Sequence, residues 1–150
     1  MKNVGKVLLP VIALLFLLAL GAGAASRTVT IYLLDPSINS PANPFSLKGV
    51  PRVVNAAAPA RNALVKLLAG PTAAEKAAGL LRLEDGTLHV GTYTVHHKAA
   101  KVNFVGHESW PGDLSPDRFR AAVTKTLRQF PGIQKVTVSV NGRADFGSLK

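Results

Sequence analysis

Leu127-Arg128-Gln129-Phe130-Pro131-Gly132-Ile133-Gln134-Lys135-Val136-Thr137-Val138-Ser139-Val140-Asn141-Gly142 contains a helix end, a stop, a one-sided strand and a turn. Pro131-Gly132 stops the helix, because proline has no amide hydrogen to continue the ladder and glycine accepts the conformations that end one. Val136, Val138 and Val140 then alternate with Thr137 and Ser139, the period of a strand with one apolar face. Asn141-Gly142 suits a tight turn. Upstream, Ser115-Pro116-Asp117 predicts the helix start, with a capping hydroxyl, proline at the first helical position and a carboxylate at the positive dipole end. Phe119, Ala122, Val123, Thr126 and Phe130 form its inner stripe; Arg118, Lys125 and Arg128 point outward, with Arg120 at the margin.

Other segments repeat this alternation of short strands and short helices. Residues 28–33 form a strand with Val29, Ile31 and Leu33 on one side and Thr28, Thr30 and Tyr32 on the other. Pro36, Pro41 and Pro44 make the following stretch a long loop, of the kind that contacts partners. Residues 50–55 read as an edge strand, since Pro51 cannot donate to a ladder. Pro59 opens a helix with Ala60, Leu64, Leu67 and Leu68 on its inner stripe, and Gly70-Pro71 stops it. Thr72-Ala73-Ala74-Glu75 is a capping box for a second short helix. A hairpin follows over residues 87–95 and 100–105, with Val102 and Phe104 inward and Lys101 and Asn103 outward. One-stripe helices and one-faced strands predict an α+β fold, a small two-layer sandwich in which a mixed sheet carries helices on one face. The opposite face would offer Thr28, Thr30, Tyr32, Thr137 and Ser139 as an open polar surface.

Composition restricts function. The chain has 150 residues and no cysteine, which excludes disulfide frameworks, thiol catalysis and cysteine zinc sites. Lys2 and Lys6, the apolar run from Val7 to Leu20 and the small residues Gly21-Ala22-Gly23-Ala24-Ala25 assign residues 1–25 to a signal peptide or an N-terminal membrane anchor. Cleavage after Ala24 is the expected form. Either form places the folded domain, residues 27–146, outside the cytoplasm, secreted or tethered. The 18 Lys+Arg against 8 Asp+Glu give a net charge of +10, and so basic a domain favours anionic partners.

Two stretches carry a family likeness. Leu67-Leu68-Ala69-Gly70-Pro71-Thr72-Ala73-Ala74-Glu75 and the residue 127–142 segment resemble the GerMN domain of spore-germination and sporulation proteins. The order of elements agrees from about Val29 to Gly142. The resemblance implies an extracytoplasmic, non-catalytic α+β module of bacterial envelope proteins. It is similar to the ring-building domains of sporulation and secretion complexes, and to modules that accompany sensor kinases or cell-wall amidases. This sequence shows one copy where the sporulation protein has two, and it lacks a lipoprotein cysteine. The family supplies no catalytic residues to carry over.

Read residue by residue, the chemistry points the same way. Gly-x-Ser-x-Gly, His-Glu-x-x-His and phosphate loops are missing from the sequence. Glu75 and Asp117 are accounted for as helix-start residues, while Asp35, Glu84, Asp85, Glu108, Asp113 and Asp145 fall mostly in turns. The enzyme alternative is a small secreted hydrolase or metal-dependent enzyme built on His96, His97 and His107. Adjacent strand residues such as His96 and His97 point to opposite faces and cannot both grip one ion, so a metal site would come from His97, His107 and Glu108 and requires the hairpin to converge with the Trp110 loop. No cofactor or metal is expected. Arg118, Arg120, Lys125 and Arg128, joined from the hairpin by Lys98 and Lys101, form a cationic surface. Such a surface suits an ordinary solvated face, or contact with an envelope protein or an anionic wall or membrane surface. Nucleic acid is disfavoured, because the interleaved aromatics that stack bases are missing. Trp110 suits either an interface anchor or the lid of a core.

Overall fold

The computed structural model describes residues 23–147, so the expected leader lies, except for residues 23–25, outside the described residues. The elements run β1 (Ser26–Leu34), a single 3₁₀ turn (Pro36–Ile38), β2 (Leu47–Asn55), α1 (Pro59–Ala69) and α2 (Ala73–Ala77). They continue as β3 (His89–His96), β4 (Ala99–Val105), α3 (Ser115–Arg128) and β5 (Lys135–Val140). The class is α+β, and the strands divide into two sheets. β1 and β2 pair antiparallel along their whole length, from Ser26 opposite Asn55 to Leu34 opposite Leu47. The second sheet has the order β3-β4-β5 and is mixed: β3 is antiparallel to β4, and β5 is parallel to it. A parallel neighbour needs a long crossover, and α3 supplies it between β4 and β5.

The division removes the single polar face expected from the sequence. Thr28, Thr30 and Tyr32 lie on β1, whereas Thr137 and Ser139 lie on β5 in the other sheet. Tyr32 is moreover half-covered, with the Lys125 ammonium 5.4 Å over its ring.

The core sits between the helices and the inner faces of both sheets. α1 and α3 both pack on β1, α3 also packs on β5, and the two helices touch each other. Val29, Ile31 and Leu33 from β1, Ala63, Leu64 and Leu67 from α1, and Phe119, Ala122, Val123 and Leu127 from α3 are buried with Val102, Phe104, Val138 and Val140. At one end the rings of Phe104, Phe119, Trp110 and Phe146 pack together. Phe104 to Phe119 is edge-on at 5.0 Å, and Trp110 stacks on Phe146 at 5.4 Å, geometries that suit the ring quadrupoles. Trp110 therefore closes a core. Its indole N–H donates to Glu108 at 3.0 Å.

Local chemistry explains two departures from the sequence expectation. Ser115 is not the cap of α3: its amide bonds Gly112 O, so the chain is already wound at Leu114, and Ser115 is buried as the first helical residue. His97 does not continue β3. His97 and Lys98 adopt φ of 47° and 62° and form a two-residue hairpin turn, the twist-matched type that ordinarily recruits Asn-Gly. Instead of facing away from each other, the His96 and His97 rings lie 3.9 Å apart.

The proline-bearing segment between β1 and β2 is internally bonded. Asp35 is buried and accepts from the Ser37 amide at 3.0 Å and its hydroxyl at 2.6 Å, hydrogen bonds that hold its pKa below the ordinary value. Asn43 exchanges hydrogen bonds with the Leu47 backbone.

Candidate anionic-partner surface

α3 is amphipathic by spacing, and its buried stripe of Phe119, Ala122, Val123, Thr126 and Leu127 fixes which residues face away. The four predicted cations of α3 are not equivalent. Arg120 is committed to the fold: it pairs with Asp117 at 2.6 Å, donates to Ala144 O at 3.0 Å and lies 4.3 Å over the Phe146 ring. Arg118 is half-buried, with a buried Nε that has no hydrogen-bond partner among the described residues. Lys125 and Arg128 are exposed, and neither takes part in a salt bridge among the described residues. Two shallow grooves meet at Lys125, one lined with Tyr32, Arg128 and Gln129, the other with Phe45, Asp117, Arg120, Ala121 and Thr124, where Arg120 neutralises the Asp117 carboxylate.

Lys98 and Lys101 do not join this surface. Lys101 pairs with Thr137 on β5 and alternates with Ala100 and Val102, whose side chains face the core. It therefore points from the back of the three-stranded sheet, away from α3. Lys98 is in the hairpin turn, where its carbonyl accepts from the Gln134 and Lys135 amides. The cations predicted as one patch thus form two, on opposite sides of the domain.

The histidine alternative has no convergent site among the described residues. His97 is at the hairpin tip, whereas His107 follows the far end of β4, and a seven-residue strand separates its ends by roughly 20 Å. Glu108 is already held by Trp110 and by a close ion pair with Arg143. Among the described residues no group of three or more His, Asp or Glu side chains is placed to hold a metal.

Two carboxylates have partners that the sequence did not disclose. Glu75 closes the predicted capping box, accepting from the Thr72 amide at 2.8 Å while the Thr72 hydroxyl accepts from the Glu75 amide. It also takes a bidentate grip from Arg52 on β2, at 2.7 and 2.6 Å. The guanidinium holds its pKa down at about 2. Helical spacing shows the box; a partner 23 positions away on a strand leaves no local signature. Glu84 is buried, accepts from the Gly86 amide at 2.7 Å and has Arg82 Nη2 at 3.5 Å. Burial pushes its pKa up. Asp117 with Arg120 is different, because a spacing of three on a helix makes that pair readable from the sequence.

The family model described as "Sporulation and spore germination", Germane, matches residues 30–145. Among solved structures the chain is similar to the tandem GerMN domains of the Bacillus subtilis sporulation protein GerM, with 20% identity and a TM-score of 0.53, over 79% of this chain and 40% of that one. It is likewise similar to the first GerMN domain of that protein, with 19% identity and a TM-score of 0.50, over 78% of this chain and 84% of that one. These likenesses concern the fold, and this chain spans under half the length of the tandem structure. A comparison with curated proteins gives no match. With the model covering the domain from β1 through β5, the chain belongs to the Germane family of sporulation and spore germination.

Proposed function

We propose that this chain is a non-catalytic binding module of an extracytoplasmic, envelope-associated assembly, and that Lys125 and Arg128 on α3 make its contact with an anionic partner. The exposed Lys125 and Arg128 carry the reading: both line the groove that holds Tyr32, and Lys125 also lines the one that holds Phe45. Cations without a fixed counter-charge hold an anion without first breaking an internal ion pair, which distinguishes them from Arg120. Aromatic rings beside them add contact area that bare lysines lack. The family's description in terms of sporulation and germination gives the biological setting, and the basic balance of the whole chain suits a polyanionic surface or an acidic protein.

The test is co-sedimentation of the purified chain with isolated envelope fragments. Retention is expected to fall as salt rises, because exposed charges are screened beyond about 8 Å at physiological ionic strength. Lys125→Gln with Arg128→Gln should release the chain at low salt while its melting temperature stays unchanged. Retention that is equal for both proteins and indifferent to salt would refute the assignment.

A further inference from the structure

Among the described residues one strand edge lacks the protection that the others have. The β2 edge carries Pro51 at mid-strand with Lys48 and Arg52 beside it. On the side of β1 away from β2, the Gln129 side chain accepts from the Thr30 amide at 2.8 Å and donates to its carbonyl at 2.7 Å, and Leu34 exchanges backbone bonds with Leu81. β5 is only six residues long and opens with Lys135. β3, the outer strand of its sheet, has the sequence HVGTYTVH, with no Lys, Arg, Asp, Glu or Pro. Among the described residues its backbone is bonded only toward β4. Natural edges are usually blunted by charge, proline or cover, so a bare, β-branched, uncharged edge is a template for another strand.

The available length and register follow from the bulge. The pairing with β4 shifts between Val90 and Thr92, skipping Gly91, and a bulge bends and twists its strand. Residues 92–96 are left as the regular stretch, about the length of an ordinary strand. Within it Val95 shares the core-facing side with Tyr93, opposite Ala100 and Val102, yet is 45% exposed. Thr92, Thr94 and His96 point to the other side.

We propose that two copies of this chain pair antiparallel through residues 92–96 of β3, about a two-fold axis at Thr94, to make one six-stranded sheet. The stretch is complementary to itself in that register. Thr94 meets the second copy's Thr94, Tyr93 meets the second copy's Val95, and Thr92 meets the second copy's His96. Thr–Thr and aromatic–β-branched pairs are favourable cross-strand neighbours, and the exposed Val95 gains the cover that its own chain does not give it. No formal charge opposes the approach. Lys101, the nearest cation on β4, is opposite Thr94, so the two Lys101 side chains would be three strand spacings apart, about 14 Å, beyond the screening length. A five-residue pairing is a small interface of the transient class, and covalent trapping detects it better than sedimentation. The proposal is independent of the α3 cations.

The absence of native cysteine makes trapping clean. The full chain carrying Thr94→Cys is expressed in cells, treated with a mild oxidant and separated without reductant. Residues directly opposed across antiparallel strands fall within disulfide reach, so a product of twice the chain mass should dominate. Thr137→Cys, exposed on the same outer sheet face but on β5, should remain monomeric. Adding Val95→Lys to Thr94→Cys should lower the cross-linked fraction at least tenfold without moving the melting temperature. If Thr94→Cys itself lowers that temperature, Thr92→Cys and His96→Cys chains expressed together provide a second route, cross-linking to each other but not to themselves. The proposal is overturned if the β3 cysteines cross-link no more than Thr137→Cys, if Val95→Lys leaves the yield unchanged, or if the trapped product has a mass other than twice the chain. Lys125→Gln with Arg128→Gln should leave the cross-link unchanged.

Discussion

The two sheets solve the same problem differently. β1–β2 has its edges occupied or blunted: α3 reaches over with Gln129, Leu81 bridges to Leu34, and Pro51 interrupts β2. Among the described residues β3-β4-β5 is covered by helices on one face only, and β3 is bare along its edge. α3 packs on both sheets, but only the first also receives the Gln129 hydrogen bonds along its edge, while the second presents a free edge among the described residues. The difference also explains why similar numbers of cations have different meanings on the two sides. On α3 they lie beside aromatic rings and grooves, whereas behind the open sheet Lys101 stands among threonines.

The largest expected effect comes from emptying the aromatic cluster that packs α3 on the three-stranded sheet. Phe119 is buried on α3 and touches Phe104, Trp110 and Phe146. Phe119→Ala should cost about 3 to 5 kcal/mol in denaturant unfolding. Gln129→Ala comes next. It leaves the Thr30 amide and carbonyl without their side-chain partner, which should cost about 2 kcal/mol. It also uncovers a second strand edge, so the variant should aggregate on heating more readily than wild type.

The carboxylate pair sharpens the comparison through pH. Glu75 ties α2 to β2 of the closed sheet, and Arg52 depresses its pKa from 4.5 to about 2. A depressed folded pKa contributes stability above the unfolded value, and that stability is lost as pH falls through the folded one. Glu75→Gln should thus be less stable than wild type by about 1 to 2 kcal/mol at neutral pH, given its partial exposure. The gap should close as pH falls from 4.5 toward 2. Glu84 has the opposite sign. Its raised pKa means that the neutral form favours folding, an effect present below the unfolded value and lost as pH rises through the folded one. Glu84→Gln, which can still accept from the Gly86 amide, should be as stable as wild type or slightly more so at neutral pH. Urea titrations at a series of pH values give both curves.

How far the sequence could be read follows from the reach of its signals. The inner stripe of α3, the Thr72–Glu75 box, the inward Val102 and Phe104 and the edge character of β2 are all local periodicities or caps, and each is visible within a few residues. The separation into two sheets was not legible, since alternation marks a strand but not its neighbour. The His97-Lys98 turn carries no glycine to announce it. Phe146 entered the core unannounced, because a lone aromatic near the chain end has no period. At the candidate surface, helical spacing put Lys125 and Arg128 outward, but the withdrawal of Arg120 depended on Phe146 and Ala144, some 25 positions away. The same limit misplaced Lys101, whose parity was right but whose sheet face is opposite α3.

The central claim is that location on α3, and not surplus charge, makes the anionic contact. Two variants of equal charge separate these possibilities: Lys125→Gln with Arg128→Gln on the helix, and Lys98→Gln with Lys101→Gln on the hairpin. Each removes two exposed cations, and surface changes of this kind usually shift stability by no more than about 0.5 kcal/mol apiece. Retention on envelope fragments at low salt, measured side by side with wild type, gives the answer. The account predicts that the helix variant is released and the hairpin variant retained as wild type. Equal release of both would reduce the contact to net charge, and release of the hairpin variant alone would move it to the back of the open sheet.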